Sequence, residues 1–153
     1  MGSEMCIRDR YTSVPLSVDN INITLDQIDP VQTGFVQADW SFSGVASYSM
    51  SETVLNINVG SGGGGLAATT IVPSDGVISF DWAMTVFSAG QYGDVISYSI
   101  NGNSVTLSSA GSATGSITNI PVSAGDELLL NTWGTTQSSS YAANFSNYIF
   151  VAN

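Results

Sequence analysis

The stretch Val77-Ile78-Ser79-Phe80-Asp81-Trp82-Ala83-Met84-Thr85-Val86 decides the fold. Ile78, Phe80, Trp82, Met84 and Val86 fall on one side of an extended chain, and Ser79, Asp81, Ala83 and Thr85 on the other. A strand with one buried face imposes that period of two, because successive Cβ atoms point to opposite faces of a sheet. A sustained helical period is absent along the whole sequence. The strand opens after Pro73-Ser74-Asp75-Gly76, a turn in which Pro fixes φ and Gly accepts a positive φ.

The same reading extends in both directions. Val95–Ile100 follows with Ile96, Tyr98 and Ile100 inward, and Asn101-Gly102 signals a two-residue hairpin into Val105–Leu107. Upstream, strands are expected at Val14–Val18, Ile21–Leu25, Phe35–Phe42, Thr53–Val59 and Leu66–Val72. Downstream they are expected at Ile117–Val122, Leu128–Trp133 and Ala142–Val151. Pro121 assigns its position to an edge strand or a strand end, since proline cannot donate to the ladder. Gly62 to Gly65 read as a loop; they lack the strand–loop–helix setting and the lysine of a phosphate-binding loop. Many short strands with regular turn signals predict an all-β fold, an antiparallel β-sandwich of jelly-roll type.

Among the 153 residues are 12 acids, two arginines, no lysine, no histidine and one cysteine, for a net charge of −10. Charged residues are 9% of the chain, against roughly 25% in an average domain. The acidity therefore comes from missing cations, and it excludes nucleic acid and anionic membrane surfaces as partners. Cys6, Arg8 and Arg10 all fall within the first ten residues, so nothing from Tyr11 onward is basic or a thiol. The longest aliphatic run, Leu128-Leu129-Leu130, is far short of the roughly 20 residues a membrane span needs. Met5-Cys6-Ile7-Arg8-Asp9-Arg10 resembles translated adapter read-through at the ends of metagenomic reading frames. Residues 1–10 are accordingly set apart as a foreign or disordered segment, and 11–153 as a single sandwich domain, a fragment of a longer protein if the first ten are foreign.

Three segments carry a family resemblance: Val72 to Trp82, Tyr98 to Gly102, and Val122 to Leu128 with Phe145 to Phe150. Together they resemble a jelly-roll module of bacterial secreted and cell-surface proteins, adhesin-like and often beside anchoring signals. The layout is similar to carbohydrate-binding and CUB-like sandwiches. This resemblance implies export and surface display, and it carries no catalytic residues across.

The side-chain inventory narrows the chemistry further. Without His, Cys or Lys after residue 10 there is no Ser-His-Asp or Cys-His nucleophile, no Schiff base and no histidine zinc site. A pair of carboxylates remains the one catalytic device open to the chain, with Asp81 its best member; its place on the polar side of a strand fits a solvated sheet face better. No enzyme activity is expected, and no organic cofactor is implied. Calcium is the inorganic partner that carboxylates and turn amides would take. Its candidate ligands are Asp94 and Asp126, with Asn101 or Asn103, although ordinary Asx turns account for these residues too. Aromatic rings are the remaining resource. Trp133 and Tyr141 flank the neutral loop 134–140, and Tyr92 lies between Gly90 and Gly93, so these three are the expected sugar-stacking platform. Trp82, in phase with Ile78 and Phe80, reads as core.

Two functions follow. The first is a non-enzymatic extracellular recognition or adhesion module that binds a glycan or surface polymer. The second is a self-assembling subunit of an extracellular fibre or surface layer, in which lysine-free edge strands pair with copies of the chain. Val14, Leu16 and Val18 would then lie on a strand given to a neighbour.

Overall fold

The computed structural model describes residues 31–36, 39–60, 62–88, 95–109, 111–134 and 140–153. All of them belong to the unit Val31–Asn153. The expected strands Val14–Val18 and Ile21–Leu25 lie outside the described residues, as does the segment 1–10.

Eleven strands are described: β1 (Val31–Thr33), β2 (Ser41–Gly44), β3 (Ser47–Met50), β4 (Val54–Val59), β5 (Gly64–Ile71), β6 (Gly76–Ser88), β7 (Val95–Ile100), β8 (Asn103–Ser108), β9 (Ala113–Val122), β10 (Glu127–Gly134) and β11 (Ser140–Ala152). They form two antiparallel sheets. The six-stranded sheet runs β3-β4-β11-β6-β9, with β1 extending β11 on the side of β4. The five-stranded sheet runs β2-β5-β10-β7-β8. Apart from the β3–β4 and β7–β8 hairpins, every connection from β2 onward crosses from one sheet to the other. The fold is an all-β jelly-roll sandwich, as the alternation predicts.

The sequence pattern explains the core. Leu55 and Ile57 of β4, Ile78 and Phe80 of β6 and Phe145 of β11 meet Leu66, Ala68, Ile96, Leu128 and Leu130 of the facing sheet in one buried cluster. Burying each large side chain contributes about 1.5–3 kcal/mol, enough to fix which face of every strand turns inward. Trp82 joins this cluster from the β9 side, where its indole lies over Gly115 and leaves no room for a side chain there. Phe42 and Tyr48 stack at 4.2 Å on the opposite flank, joining β2 of one sheet to β3 of the other.

Some expectations need correction. Phe35, Val36, Asp39 and Trp40 lie in no strand: Gly34, at φ 83, turns the chain, Asp39 N–H bonds to Val36 O at 2.9 Å, and β2 begins at Ser41. Phe35 and Trp40 are buried even so. Gly64 and Gly65 open β5 rather than closing a loop. The serine-rich strand β3 escaped the sequence reading because its outward residues are small and polar and its run is four residues long. Pro121 does lie on an edge strand, β9, as its missing N–H requires.

Candidate functional site

The alternation of β10 sets out the site. Leu128, Leu130, Thr132 and Gly134 turn inward, which leaves Glu127, Leu129, Asn131 and Trp133 on the outer face of the five-stranded sheet. Thr132 would be an awkward core residue, but its hydroxyl accepts from Leu66 N–H at 3.1 Å and donates to Leu66 O. That pairing holds the β5–β10 ladder in phase, so the indole of Trp133 must project outward; it is 58% exposed. Its cross-strand neighbours are Gly65 and Val95, neither large enough to cover it. Beside it, Asn131 stands between Ala67 and Ser97, and Leu129 between Thr69 and Ser99. Ser97 and Ser99 are themselves buried, forming the low floor of the face. The result is one open aromatic ring beside an amide and small hydroxyl groups, with the carboxylate of Glu127 at the other end of the strand.

Tyr141 does not join Trp133. It pairs with Val59 on β4 and Val86 on β6, both inward positions, and is 1% exposed. With its ring enclosed in the core, it has no face to offer a ligand, although it lies only eight positions from Trp133 in the sequence. Tyr92 and Asp94 lie outside the described residues.

Asp126 belongs to a cluster of turns at the end of the sandwich away from Trp133. Its Oδ2 accepts from Ser123 N–H at 2.8 Å and its Oδ1 from Asn101 Nδ2 at 2.7 Å. These two bonds, that from Ser123 first, hold its carboxyl below the usual carboxylate range. Asn101 Oδ1 accepts from Glu127 N–H, and Asp75 Oδ1 accepts from Ala124 N–H, so three turns are laced together. The Asp126 oxygens are thus engaged within the protein, and Asn103 is simply exposed on β8. Among the described residues no group of three or more His, Cys, Asp or Glu could hold a metal ion.

On the opposite, six-stranded sheet several outward polar groups are paired with one another across strands. Asp81 takes hydrogen bonds from Ser116 and from Asn147, the latter at 2.6 Å; these, Ser116 first, lower its pKa. Asn147 sits at φ 52 in the bulge that separates the part of β11 paired with β4 from the part paired with β1. Next to it, Asn144 Nδ2 donates to Asn56 Oδ1 at 2.8 Å. Asp81 lines neither of the two clefts beside Tyr148. One, of about 330 Å³, is bounded by Gly34, Glu52 and Asn147. The other, of about 290 Å³, is bounded by Asp39, Trp40, Ile71 and Pro73. Between them Phe35, Trp40 and Tyr148 pack ring to ring at 5.4–5.7 Å. Burial, and then the charge of Asp39, pushes the Tyr148 phenol up to about 12.

Two features escaped the sequence reading. Phe87, 68% exposed, continues the outward series of β6 beyond Val86, where the strand was expected to end. Asn131 and Leu129 share the face of Trp133, which the spacing i, i+2, i+4 on β10 already contained.

No sequence family matches the chain, and no curated protein does. Among solved structures, TmCBM61 in complex with β-1,4-galactotriose is similar over 84% of this chain and 92% of its own, with 12% identity and a TM-score of 0.42. A family 35 carbohydrate-binding module from Clostridium thermocellum covers 79% of this chain and 99% of its own, at 14% identity and TM-score 0.42. A family 29 carbohydrate-binding module covers 78% and 88%, at 11% identity and TM-score 0.43. These are likenesses of fold.

Proposed function

We propose that the chain is a non-catalytic module that binds neutral glycans outside the cell, with Trp133 as its stacking platform. The observation that carries this reading is the exposed indole of Trp133 in line with Asn131 on an outer sheet face whose one β10 carboxylate, Glu127, stands at the far end of the strand. A pyranose ring presents C–H groups on its faces and hydroxyls at its rim. It therefore suits an aromatic plane flanked by small amide and hydroxyl groups. Ionic selectivity follows from the chain as a whole: with no basic residue after Arg10 there is no cation to hold a uronate or sulfate, and the net charge opposes both. Asn131 and Thr69, both partly exposed on this face, are the side chains nearest to the rim hydroxyls.

Calorimetric titration with neutral β-linked gluco-, galacto- and manno-oligosaccharides tests the proposal. Binding that is lost in Trp133→Ala and kept in Phe87→Ala supports it. Silence across the panel, or binding indifferent to Trp133, overturns it.

Self-assembly through sheet edges is less well supported by the described strands. β9 carries Pro121 and a bulge opposite Ser79, β8 is bulged between its partners Ile96 and Ser97, and β2 and β3 are four residues long. Such bulges, prolines and short edges serve where lysine is missing, since each shortens the row of unpaired N–H and C=O groups. A monodisperse monomer in size exclusion and in electron micrographs is the expected result; ordered polymer would restore the fibre reading.

A further inference from the structure

We infer that Asn101 is a site of spontaneous deamidation kept shut by Asp126. Asn101-Gly102 is the single Asn-Gly step in the sequence. It forms the two-residue turn between β7 and β8, with φ 49 at Asn101 and φ 79 at Gly102, the twist of a type I′ hairpin. Both residues are exposed, and no atom lies within 4 Å of the place a Gly102 side chain would occupy. Gly102 has no side chain to hinder its own nitrogen, which is the nucleophile toward the Asn101 side-chain carbonyl carbon.

The reaction needs only water. The Gly102 nitrogen forms a bond to Cγ and gives up its proton, the Cγ–Nδ2 bond breaks, and ammonia leaves with that proton. The cyclic imide then takes up one water at either of its carbonyls and opens to aspartate or isoaspartate. One amide and one water become one acid and one ammonia, with no change of oxidation state.

In the folded chain the carboxamide is not free to swing toward Gly102. Nδ2 donates to Asp126 Oδ1 at 2.7 Å, Oδ1 accepts from Glu127 N–H at 2.8 Å, and the Asn101 N–H donates to Glu127 O at 3.0 Å. Asp126 is in turn anchored by Ser123 N–H. Ring closure thus waits for local opening of this turn cluster. Once it has occurred, the product cannot rebuild the latch. A carboxylate at position 101 offers no donor to Asp126 and faces it with like charge, and isoaspartate adds a backbone atom to a two-residue turn. Modification at one surface amide would part the β7–β8 turn from the β9–β10 turn, while the Asp75 bond to Ala124 N–H between the β5–β6 and β9–β10 turns stays in place.

The test is peptide mass spectrometry of the full chain held in mildly alkaline buffer, following conversion at Asn101. Asp126→Ala should speed it by roughly tenfold or more, as the latch opens more often. Asp75→Ala removes a bond of the same turn cluster, the one to Ala124 N–H, without touching Asn101, and should leave the rate near that of the unaltered chain. Equal rates in Asp126→Ala and the unaltered chain overturn the inference. So does equal acceleration by Asp75→Ala, or conversion of Asn103 as fast as Asn101. If Asp126→Ala fails to fold, Asp126→Asn replaces it: a neutral acceptor should give a smaller acceleration, and none would count against the latch.

Discussion

The outer faces of the two sheets are built from similar residues and are put to opposite use. On the six-stranded sheet, Asn56 and Asn144 satisfy each other, and Asp81 is held by Ser116 and Asn147, so the polar groups are spent on cross-strand ties. On the five-stranded sheet the hydroxyls are small and sunken, and the largest outward side chain, Trp133, has no partner large enough to cover it. A polar surface whose groups already pair is a stabilising surface. One that leaves a ring and an amide uncommitted can spend them on a ligand. Amino-acid composition alone does not separate the two cases; pairing does.

That contrast can be broken most directly at Trp133. Trp133→Ala should weaken neutral-oligosaccharide binding at least tenfold, about 1.4 kcal/mol. Its folding stability should stay within about 0.5 kcal/mol of the unaltered chain, because the ring is exposed. The two readouts are titration and thermal melting. On the other face the pattern should reverse. Asn144→Ala should cost about 0.5–1.5 kcal/mol of stability by removing the tie to Asn56, with binding unchanged in the same titration. Acid should act on the six-stranded sheet and the turn cluster rather than on the Trp133 face. Asp81 and Asp126 have folded pKa values below the ordinary 3.8. Their stabilisation is full above that value and lost as pH falls through the lowered folded values, because the unfolded chain then binds more protons. Melting temperature should fall below about pH 4, and the slope should be shallower in Asp81→Asn. Phe87→Ala should have the smallest effect, within about 0.5 kcal/mol in stability and undetectable in binding; a loss of affinity there would move the ligand to the six-stranded sheet.

Much of this arrangement was legible in the chain. Residues 77–86 alternate cleanly, and β6 is a long strand with Ile78, Phe80 and Met84 buried as their phase requires. Asn101-Gly102 gave the hairpin for a local reason, since few residue pairs tolerate two positive φ angles. Phe35–Phe42 misled because buried aromatics on an irregular segment look like strand residues; Gly34 N–H and Phe35 N–H bond to Tyr148 O and Glu52 O, far away in sequence, and Asp39 N–H closes a local turn onto Val36 O. For the site, Trp133 could be found from the phase of Leu128 and Leu130, whereas Tyr141 could not be rejected. Its ring is inward because β4 and β6 flank β11 and supply Val59 and Val86 at its register.

The sequence by itself determined that this is a sandwich of short strands, that basic chemistry is missing from Tyr11 onward, and that Trp133 leaves the core. Each of these is local: alternation is a property of a strand's own residues, and a missing cation cannot be supplied by folding. Tertiary structure alone decided that Tyr141 is enclosed, that Asp126 is spent on Asn101 and Ser123, and that one sheet face pairs its polar groups while the other leaves them open. Those outcomes depend on which strands become neighbours and in what register, and contacts between residues far apart in the chain leave no period in the sequence to read.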